Sequence, residues 1–285
     1  MTLIFISIVL SSLLVICFKV FEKFNVNISN AIALNYISAS GCGIIAGYDL
    51  IKSTTITQAD WLPYTLLFGV FFIIVFNIVG IGVKTSGLMV VAIAQKMSLI
   101  IPLAFSIWFY NESYGIMKIT GIFLALIAIY FSSKKENDGV KKINYLIPII
   151  IFLGSGIVDV SIKITQEHFA KDIDFSVLLA FIFGAAGLIG ITKMILTRQK
   201  LMKKDFIAGI CLGLFNFSST YFLMKALAQN ELESSFVFAI NNIGIIIFNS
   251  IVATLIFKEK LSKLNFIGVL LALASILFIY YSNVI

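Results

Sequence analysis

Apolar residues occur along this chain in ten continuous runs of about 20 residues, each bounded by a short polar segment. A helix needs about 20 apolar residues to cross roughly 30 Å of hydrocarbon, so each run predicts one spanning helix. A β-barrel would need short alternating segments instead. The fold class is therefore an all-α polytopic membrane protein with ten transmembrane helices. The predicted spans are 2–21, 29–48, 61–82, 88–110, 115–132, 144–166, 174–196, 205–228, 234–257 and 265–282.

Most connections between the predicted spans are short, which makes neighbouring helices antiparallel. One polar stretch, 133–142 with the sequence SKKENDGVKK, divides five spans from five. We therefore expect a first five-helix repeat at 1–133, a connecting loop at 134–142 and a second five-helix repeat at 143–285.

The second half repeats residues of the first at a constant offset of 147 positions, most clearly from Val90 onwards. Because each half holds an odd number of spans, the second half enters the bilayer in the opposite sense. This is an inverted-topology duplication, an arrangement that many transporters use. The corresponding pairs include Val90 and Val237, Ala92 and Ala239, Glu112 and Glu259, and Gly121 and Gly268.

The composition supports a membrane protein and gives no sign of catalysis. The chain is 60% hydrophobic and 12% charged, whereas soluble domains are near half apolar and about a quarter charged. Its three cysteines lie in apolar runs without CxxC spacing, which predicts neither a disulfide framework nor a metal site. The sequence contains no nucleophile elbow and no phosphate-binding glycine loop. We expect no enzyme activity, no cofactor and no metal.

The net charge of +7 would suggest a nucleic-acid partner in a soluble protein, but in a polytopic protein basic loop residues set the topology. Fifteen Lys and Arg residues fall on one set of predicted loops and span ends, and five on the other. This bias predicts that 133–142, 197–205 and 258–263 are cytoplasmic and that both termini lie outside. We expect a bacterial plasma (inner) membrane and no nucleic-acid partner.

Lys96 is the first candidate for a substrate-binding residue because it lies nine residues into the fourth predicted span. A lysine at this depth must snorkel, pair with an acid or line water. We favour a cavity position that attracts an anionic or carboxylate group, with snorkelling and structural pairing as alternatives. Gln95 is adjacent and points about 100° away along a helix.

Further polar residues lie inside the apolar runs. Asn242 corresponds to Gln95 in the repeat, and Asn241 precedes it; two amides in an apolar helix need hydrogen-bond partners, from substrate or from another helix. Asp159 and Lys163 share one helical face four residues apart, where each charge would largely neutralise the other. Snorkelling is the alternative for Lys163. The remaining cavity candidates, which could equally bridge helices, are Asn77, Asn216 and Tyr221.

The residues that the two halves share suit a scaffold. Glu112 and Glu259 lie in turns, where an acid closes the turn or caps the next helix, and a cavity gate is the alternative. Gly121 and Gly268 allow helices to pack closely.

The chain resembles the drug/metabolite transporter superfamily, in particular its EamA-like branch. The likeness rests on ten spans in two inverted halves, on Lys19 late in the first span, and on the hairpin that contains Pro102 and Glu112. It implies a cavity between the halves that opens alternately to each side and passes small metabolites. Members often have an arginine in the second span, where this chain has Asn35 and Tyr36, and we count both among the cavity candidates.

We predict a secondary transporter of small polar metabolites, such as amino acids or related compounds, that works by alternating access. Its expected partners are a small-molecule substrate and the lipid bilayer. A proton or another ion would drive uphill transport, with Asp159 or Lys96 as the group that exchanges the proton, and a homodimer is left open. The alternatives are a flippase for a lipid-linked group and a non-transporting membrane assembly component.

Overall fold

The computed structural model of the protein describes residues 1–53, 60–109, 115–133, 145–169, 174–228, 234–259 and 262–284. Within these ranges every regular element is an α-helix, so the all-α prediction is confirmed. The helices are α1 (Thr2–Lys23), α2 (Ile28–Ala46), α3 (Tyr48–Ser53), α4 (Leu62–Ser86), α5 (Leu88–Met97), α6 (Ile100–Phe109), α7 (Ile116–Ser133), α8 (Leu146–Phe169), α9 (Phe175–Leu196), α10 (Lys203–Ala228), α11 (Ser234–Leu255) and α12 (Lys263–Val284).

Each apolar run of the sequence corresponds to helix in the structure. Nine runs match one helix each, with ends that differ from the predicted ones by at most four residues. The prediction of one continuous helix at 88–110 is wrong, because α5 ends at Met97 and α6 begins at Ile100. The short α3 was not predicted.

The protein is an integral membrane protein by the length and polarity of its helices. Among the described residues, six helices are long and apolar enough to cross a bilayer, namely α1, α2, α4, α9, α10 and α12, and four shorter apolar segments accompany them. Large apolar side chains face outward, with Trp108 83% and Ile116 85% exposed, whereas Asn35 and Asn249 are completely buried. Apolar residues outside and polar residues inside are what a helical bundle needs in lipid.

The helices of the first half pack mainly on those of the second. Three pairs join corresponding helices, namely α2 with α9, α5 with α11 and α7 with α12. The other extensive inter-half contacts come in matched sets: α1 packs on α10 and α11 as α8 packs on α4, α5 and α6, and α2 packs on α10 as α9 packs on α4. The helical pairing therefore follows the internal repeat of the sequence.

Small residues bring α2 and α9 into close contact. A Cβ atom added to Gly43 would lie 2.9 Å from Cβ of Ala180, and one added to Gly190 would lie 2.7 Å from Cβ of Ala33. In lipid, helix association relies on such close van der Waals packing because apolar burial gives little advantage.

A buried carboxylate ties two helix starts together at one end of the bundle. Asp205, 1% exposed, accepts hydrogen bonds from Asn27 N at 2.9 Å, Met202 N at 3.2 Å and Asn30 Nδ2 at 3.4 Å. The acid thus satisfies donors in the α1–α2 turn and before α10. This end of α2 is fixed to the second half by polar contacts as well as by packing.

Candidate functional site

The helix of the fourth apolar run is broken between α5 and α6. Proline has no N–H, and its ring clashes with the carbonyl four residues earlier, so Pro102 prevents a regular helix at Ser98. The Ser98 carbonyl instead accepts a 2.8 Å hydrogen bond from Ile101 N, three residues later. The break therefore places the two polar residues that precede it, Gln95 and Lys96, at the end of a short helix.

The break faces a carboxylate from the second half. The Ser98 hydroxyl lies 2.7 Å from Oδ2 of Asp159 in α8 and 2.5 Å from the Gln95 carbonyl oxygen. Close packing of α8 on α6 permits this contact, since Gly156 has no side chain where Ile101 approaches its backbone. Ser98 and Asp159 join the two halves in the apolar interior.

Lys96 adds a cation to the same place. Its side chain is partly buried, as is that of Asp159, and it lies two residues before Ser98, the residue that contacts Asp159. The sequence suggested Lys163 as the partner of Asp159, but the Lys163 side chain lies outside the described part of the structure. The contact that the structure gives to the Asp159 carboxylate comes from Ser98 in the break.

The arrangement provides the groups needed to bind a small polar molecule. It combines an ammonium, a carboxylate and a hydroxyl, and the adjacent Gln95 side chain is partly buried. Opposite charges attract more strongly in a low-dielectric interior than in water. Charged residues inside membrane bundles commonly mark substrate or ion pathways.

The second half has no break at the corresponding place, since α11 is a single helix across Asn249. Asn241 and Asn242 are 3% and 7% exposed, and Asn249 is fully buried. Among the described groups, neither amide atom of Asn249 nor the Asn241 side-chain oxygen has a hydrogen-bond partner. The interior of α11 thus contains polar groups that are free to accept or donate further hydrogen bonds.

The other candidate residues form contacts between and within helices. Asn216 Nδ2 donates to Asn35 Oδ1 at 3.3 Å, which links α10 to α2. The Tyr36 hydroxyl donates to the Phe72 carbonyl at 2.8 Å. In α4, Asn77 Nδ2 donates to the Ile73 carbonyl of its own helix at 2.8 Å.

Tyr221 lies near the C-terminal end of α10, away from the helix break. The Lys225 ammonium is 4.7 Å from the centre of its ring, and Phe217 stacks on it with ring centres 5.7 Å apart. These contacts connect residues one turn apart on the same helix.

Of the two glutamates expected in turns, Glu112 and Glu259, the structure describes Glu259. Glu259 accepts a hydrogen bond from Leu88 N at 3.2 Å, so it caps α5 of the other half rather than α12, the helix that follows it. At the start of α12, Ser262 N donates a hydrogen bond to Asn265 Oδ1, and Asn265 N donates one to Ser262 Oγ. Glu112 lies outside the described residues.

The two repeated glycines lie in the contact between α7 and α12. A Cβ atom on Gly268 would lie 2.6 Å from Ser132 N, and one on Gly121 would lie 3.1 Å from the Ser275 carbonyl oxygen. Both positions leave no space for a side chain without moving backbone.

Two residues with polar roles were missed at the sequence level. Ser98 was not among the candidates, although its position four residues before Pro102 was a usable signal for a broken helix. Asp205 lies at the edge of an apolar run, where an acid is ordinarily solvated, and only the tertiary contact with the α1–α2 turn shows that it is buried.

The described residues contain no group of three or more His, Cys, Asp or Glu side chains that could hold a metal ion. Two surface grooves, at Leu188–Thr197 of α9 and at Leu201–Ile207 around the start of α10, are lined mostly by apolar side chains. They lie on the outside of the bundle and contain none of the candidate residues.

Comparison with known proteins agrees with this architecture. The EamA-like transporter family matches residues 143–281. An uncharacterised protein of Haemophilus influenzae is 31% identical over 274 residues, which cover 92% of each chain. A crystal structure with 14% sequence identity superposes with a TM-score of 0.62 over 97% of this chain and 94% of the other, which shows a shared fold.

Fold and family together define a helical membrane transporter of the drug/metabolite type. The chain belongs to the EamA-like transporter family.

Proposed function

We propose that this protein is a secondary transporter of small polar metabolites, such as amino acids or related compounds. In this proposal ten transmembrane helices form two inverted five-helix repeats, and substrate binds between them. One observation carries the proposal: the broken helix of the first half places Ser98, two residues after Lys96, against Asp159 of the second half. Interrupted helices near the middle of a bundle are frequent binding sites in transporters.

Alternating access is supported by the matched packing of the two halves. The contacts of α1 with α10 and α11 have counterparts in those of α8 with α4, α5 and α6. Two similar units of opposite orientation can exchange their conformations, which would open a site between them first to one side and then to the other.

The charges favour a substrate that carries both a negative and a positive group. Lys96 would attract a carboxylate, and Asp159 would attract an ammonium. Ser98 and Gln95 would supply hydrogen bonds to neutral parts of the molecule. A zwitterion would leave neither buried charge without a partner, an outcome that is costly in lipid.

Ligand-dependent thermal stability tests this proposal. The purified protein, reconstituted in lipid nanodiscs, is heated with a panel of amino acids, organic acids and amines. We expect at least one zwitterionic compound to raise the melting temperature, because a ligand of the folded state stabilises it. The rise should disappear in Lys96→Met and remain in Lys84→Met, a matched change at an exposed lysine of α4.

The alternatives give different results in the same screen. A flippase should be stabilised by lipid-linked compounds and by none of the soluble panel. An assembly component should respond to no compound, and it should keep its function in Lys96→Met. Either result would contradict the proposal.

A proton is our preferred coupling ion, with Asp159 as the group that binds and releases it. The Ser98 hydroxyl has one hydrogen but two oxygen neighbours, at 2.5 and 2.7 Å. If that hydrogen bonds to the Gln95 carbonyl, a proton on Asp159 would supply the second bond. Uptake into proteoliposomes should then fall when the pH gradient is collapsed, and unchanged uptake would leave facilitated diffusion or another ion.

A further inference from the structure

A carboxylate joins both halves of the protein at the end of the bundle where residues 258–263 connect α11 to α12, which we call the lysine-rich end. Oε1 of Glu259, in the turn after α11, lies 3.5 Å from Nζ of Lys19 in α1. The same oxygen accepts a hydrogen bond from Leu88 N, the first residue of α5, at 3.2 Å. Lys19 and Leu88 belong to the first half and Glu259 to the second.

Two unusual backbone conformations make this contact possible. Lys258 has a φ of +51°, and the Glu259 N–H returns to the Ala253 carbonyl at 2.9 Å, which turns the chain back towards the bundle. Gly87 has a φ of +100°, and a Cβ atom there would lie 3.1 Å from Oε2 of Glu259. A glycine before Leu88 therefore provides both the turn and the space that the carboxylate occupies.

The contact is partly shielded from water and electrostatically favourable. The side chains of Glu259 and Lys19 are 16% and 23% exposed, so solvent and salt screen their attraction less than at an open surface. A carboxylate at the N-terminus of α5 also interacts favourably with the helix dipole. Glu22, 3.3 Å from the same lysine and 37% exposed, pairs with it within α1.

We propose that Lys19, Glu259 and the Leu88 N–H form a latch that holds the lysine-rich ends of the two halves together. The latch rests on the proposed alternating access, because it must open whenever the site opens to that face. Both charged residues have sequence counterparts in the opposite half: Lys163 corresponds to Lys19 at the offset of 144 positions that aligns the first and sixth spans, and Glu112 corresponds to Glu259 at the offset of 147. Duplication therefore kept the two charges of the latch.

The distance between the halves at this face tests the latch directly. Spin labels are attached to cysteines at Lys84 and Lys263, two exposed positions on opposite halves, after the three native cysteines are changed to alanine. Pulsed electron spin resonance then gives the distance distribution in nanodiscs. Glu259→Gln removes the charge of the latch, and Glu22→Gln is the matched control that removes a charge from α1 alone.

We expect Glu259→Gln to raise the ratio of long to short distances by about fivefold, the lower end of typical coupling effects. Lys19→Gln should act in the same direction and leaves the cap on α5 in place, so it decides the question if Glu259→Gln loses its folded melting transition. Glu22→Gln should match the unsubstituted protein. The latch is overturned if both Glu259→Gln and Lys19→Gln retain the original distribution.

This measurement separates the latch from the proposed function. It reads a distance and needs no substrate, whereas failure of the transport proposal appears as a lack of ligand-dependent stabilisation. If Lys96 is needed for metabolite binding but Glu259→Gln leaves the distance distribution unchanged, the proposed function stands and the latch is contradicted.

Discussion

Ser98 and Asp159 lie 61 residues apart in sequence, and their side-chain oxygens are 2.7 Å apart in the interior of the bundle. The contact joins the broken helix of the first half to the first long helix of the second. If it belongs to the binding site, the two side chains should act as a unit. A double-mutant cycle measures such coupling directly.

We expect Ser98→Ala and Asp159→Asn each to weaken binding of the stabilising metabolite about tenfold, which corresponds to about 1.4 kcal/mol. The double variant should be little worse than either single one, because each change already removes the contact. Binding is followed by titration calorimetry in nanodiscs. Additive losses in the double variant would show that the two residues act independently.

The helix break gives a second prediction. Pro102→Ala restores an N–H to the Ser98 carbonyl, so α5 and α6 can form one regular helix and turn Ser98 away from Asp159. Metabolite binding should fall about tenfold while thermal stability is retained or increased. The matched control is Pro63→Ala, which changes an exposed proline in the first turn of α4, where proline is tolerated. Equal binding by the two variants would contradict a role for the break.

Packing between α7 and α12 gives a third prediction. A Cβ atom at position 268 would lie 2.6 Å from Ser132 N and 3.0 Å from the Ala128 carbonyl oxygen, so Gly268→Ala must move backbone. We expect a loss of about 1–3 kcal/mol in the free energy of unfolding, measured by unfolding in mixed detergent micelles. Gly41→Ala, where nothing lies within 4 Å of the added atom, should be neutral or stabilising. Equal losses at both positions would refute the packing argument.

Orientation in the membrane gives a fourth prediction. The lysine bias places the α9–α10 turn in the cytoplasm and α3 outside. A membrane-impermeant maleimide should label Asp49→Cys in intact cells and should reach Arg198→Cys only after lysis, on a background without native cysteines. Both are exposed positions. Labelling of Arg198→Cys in intact cells would contradict the proposed orientation and indicate the opposite one.

The helices could be predicted from the sequence because a bilayer requires every span to satisfy its own backbone hydrogen bonds. Runs of about 20 apolar residues can satisfy their backbone in lipid only as helices, so their existence and approximate ends follow from local composition. The repeat could also be read directly, since Glu112 and Glu259 or Gly121 and Gly268 occupy equivalent positions. None of this required knowledge of tertiary contacts.

The candidate site was only partly predictable, because its contacts depend on tertiary packing. Lys96 and Asp159 were identifiable by their depth, but the side chain that faces Asp159 depends on how α8 packs against α5 and α6. Helical spacing suggested Lys163, whose side chain is not described, so this pairing stays a prediction. Spacing could not indicate the described contact with Ser98, 61 residues earlier. Glu259 similarly reaches Leu88 across the bundle, which spacing along one helix cannot indicate.

Substrate counterflow in proteoliposomes shows directly whether the protein transports a metabolite and whether transport depends on Lys96. Vesicles loaded with the metabolite that stabilises the protein are diluted into a trace of the labelled compound. We expect transient accumulation of label with the unsubstituted protein and with Lys84→Met, and a loss of at least about tenfold with Lys96→Met. The account is contradicted if the unsubstituted protein shows no counterflow of any stabilising compound, or if Lys96→Met transports at the original rate.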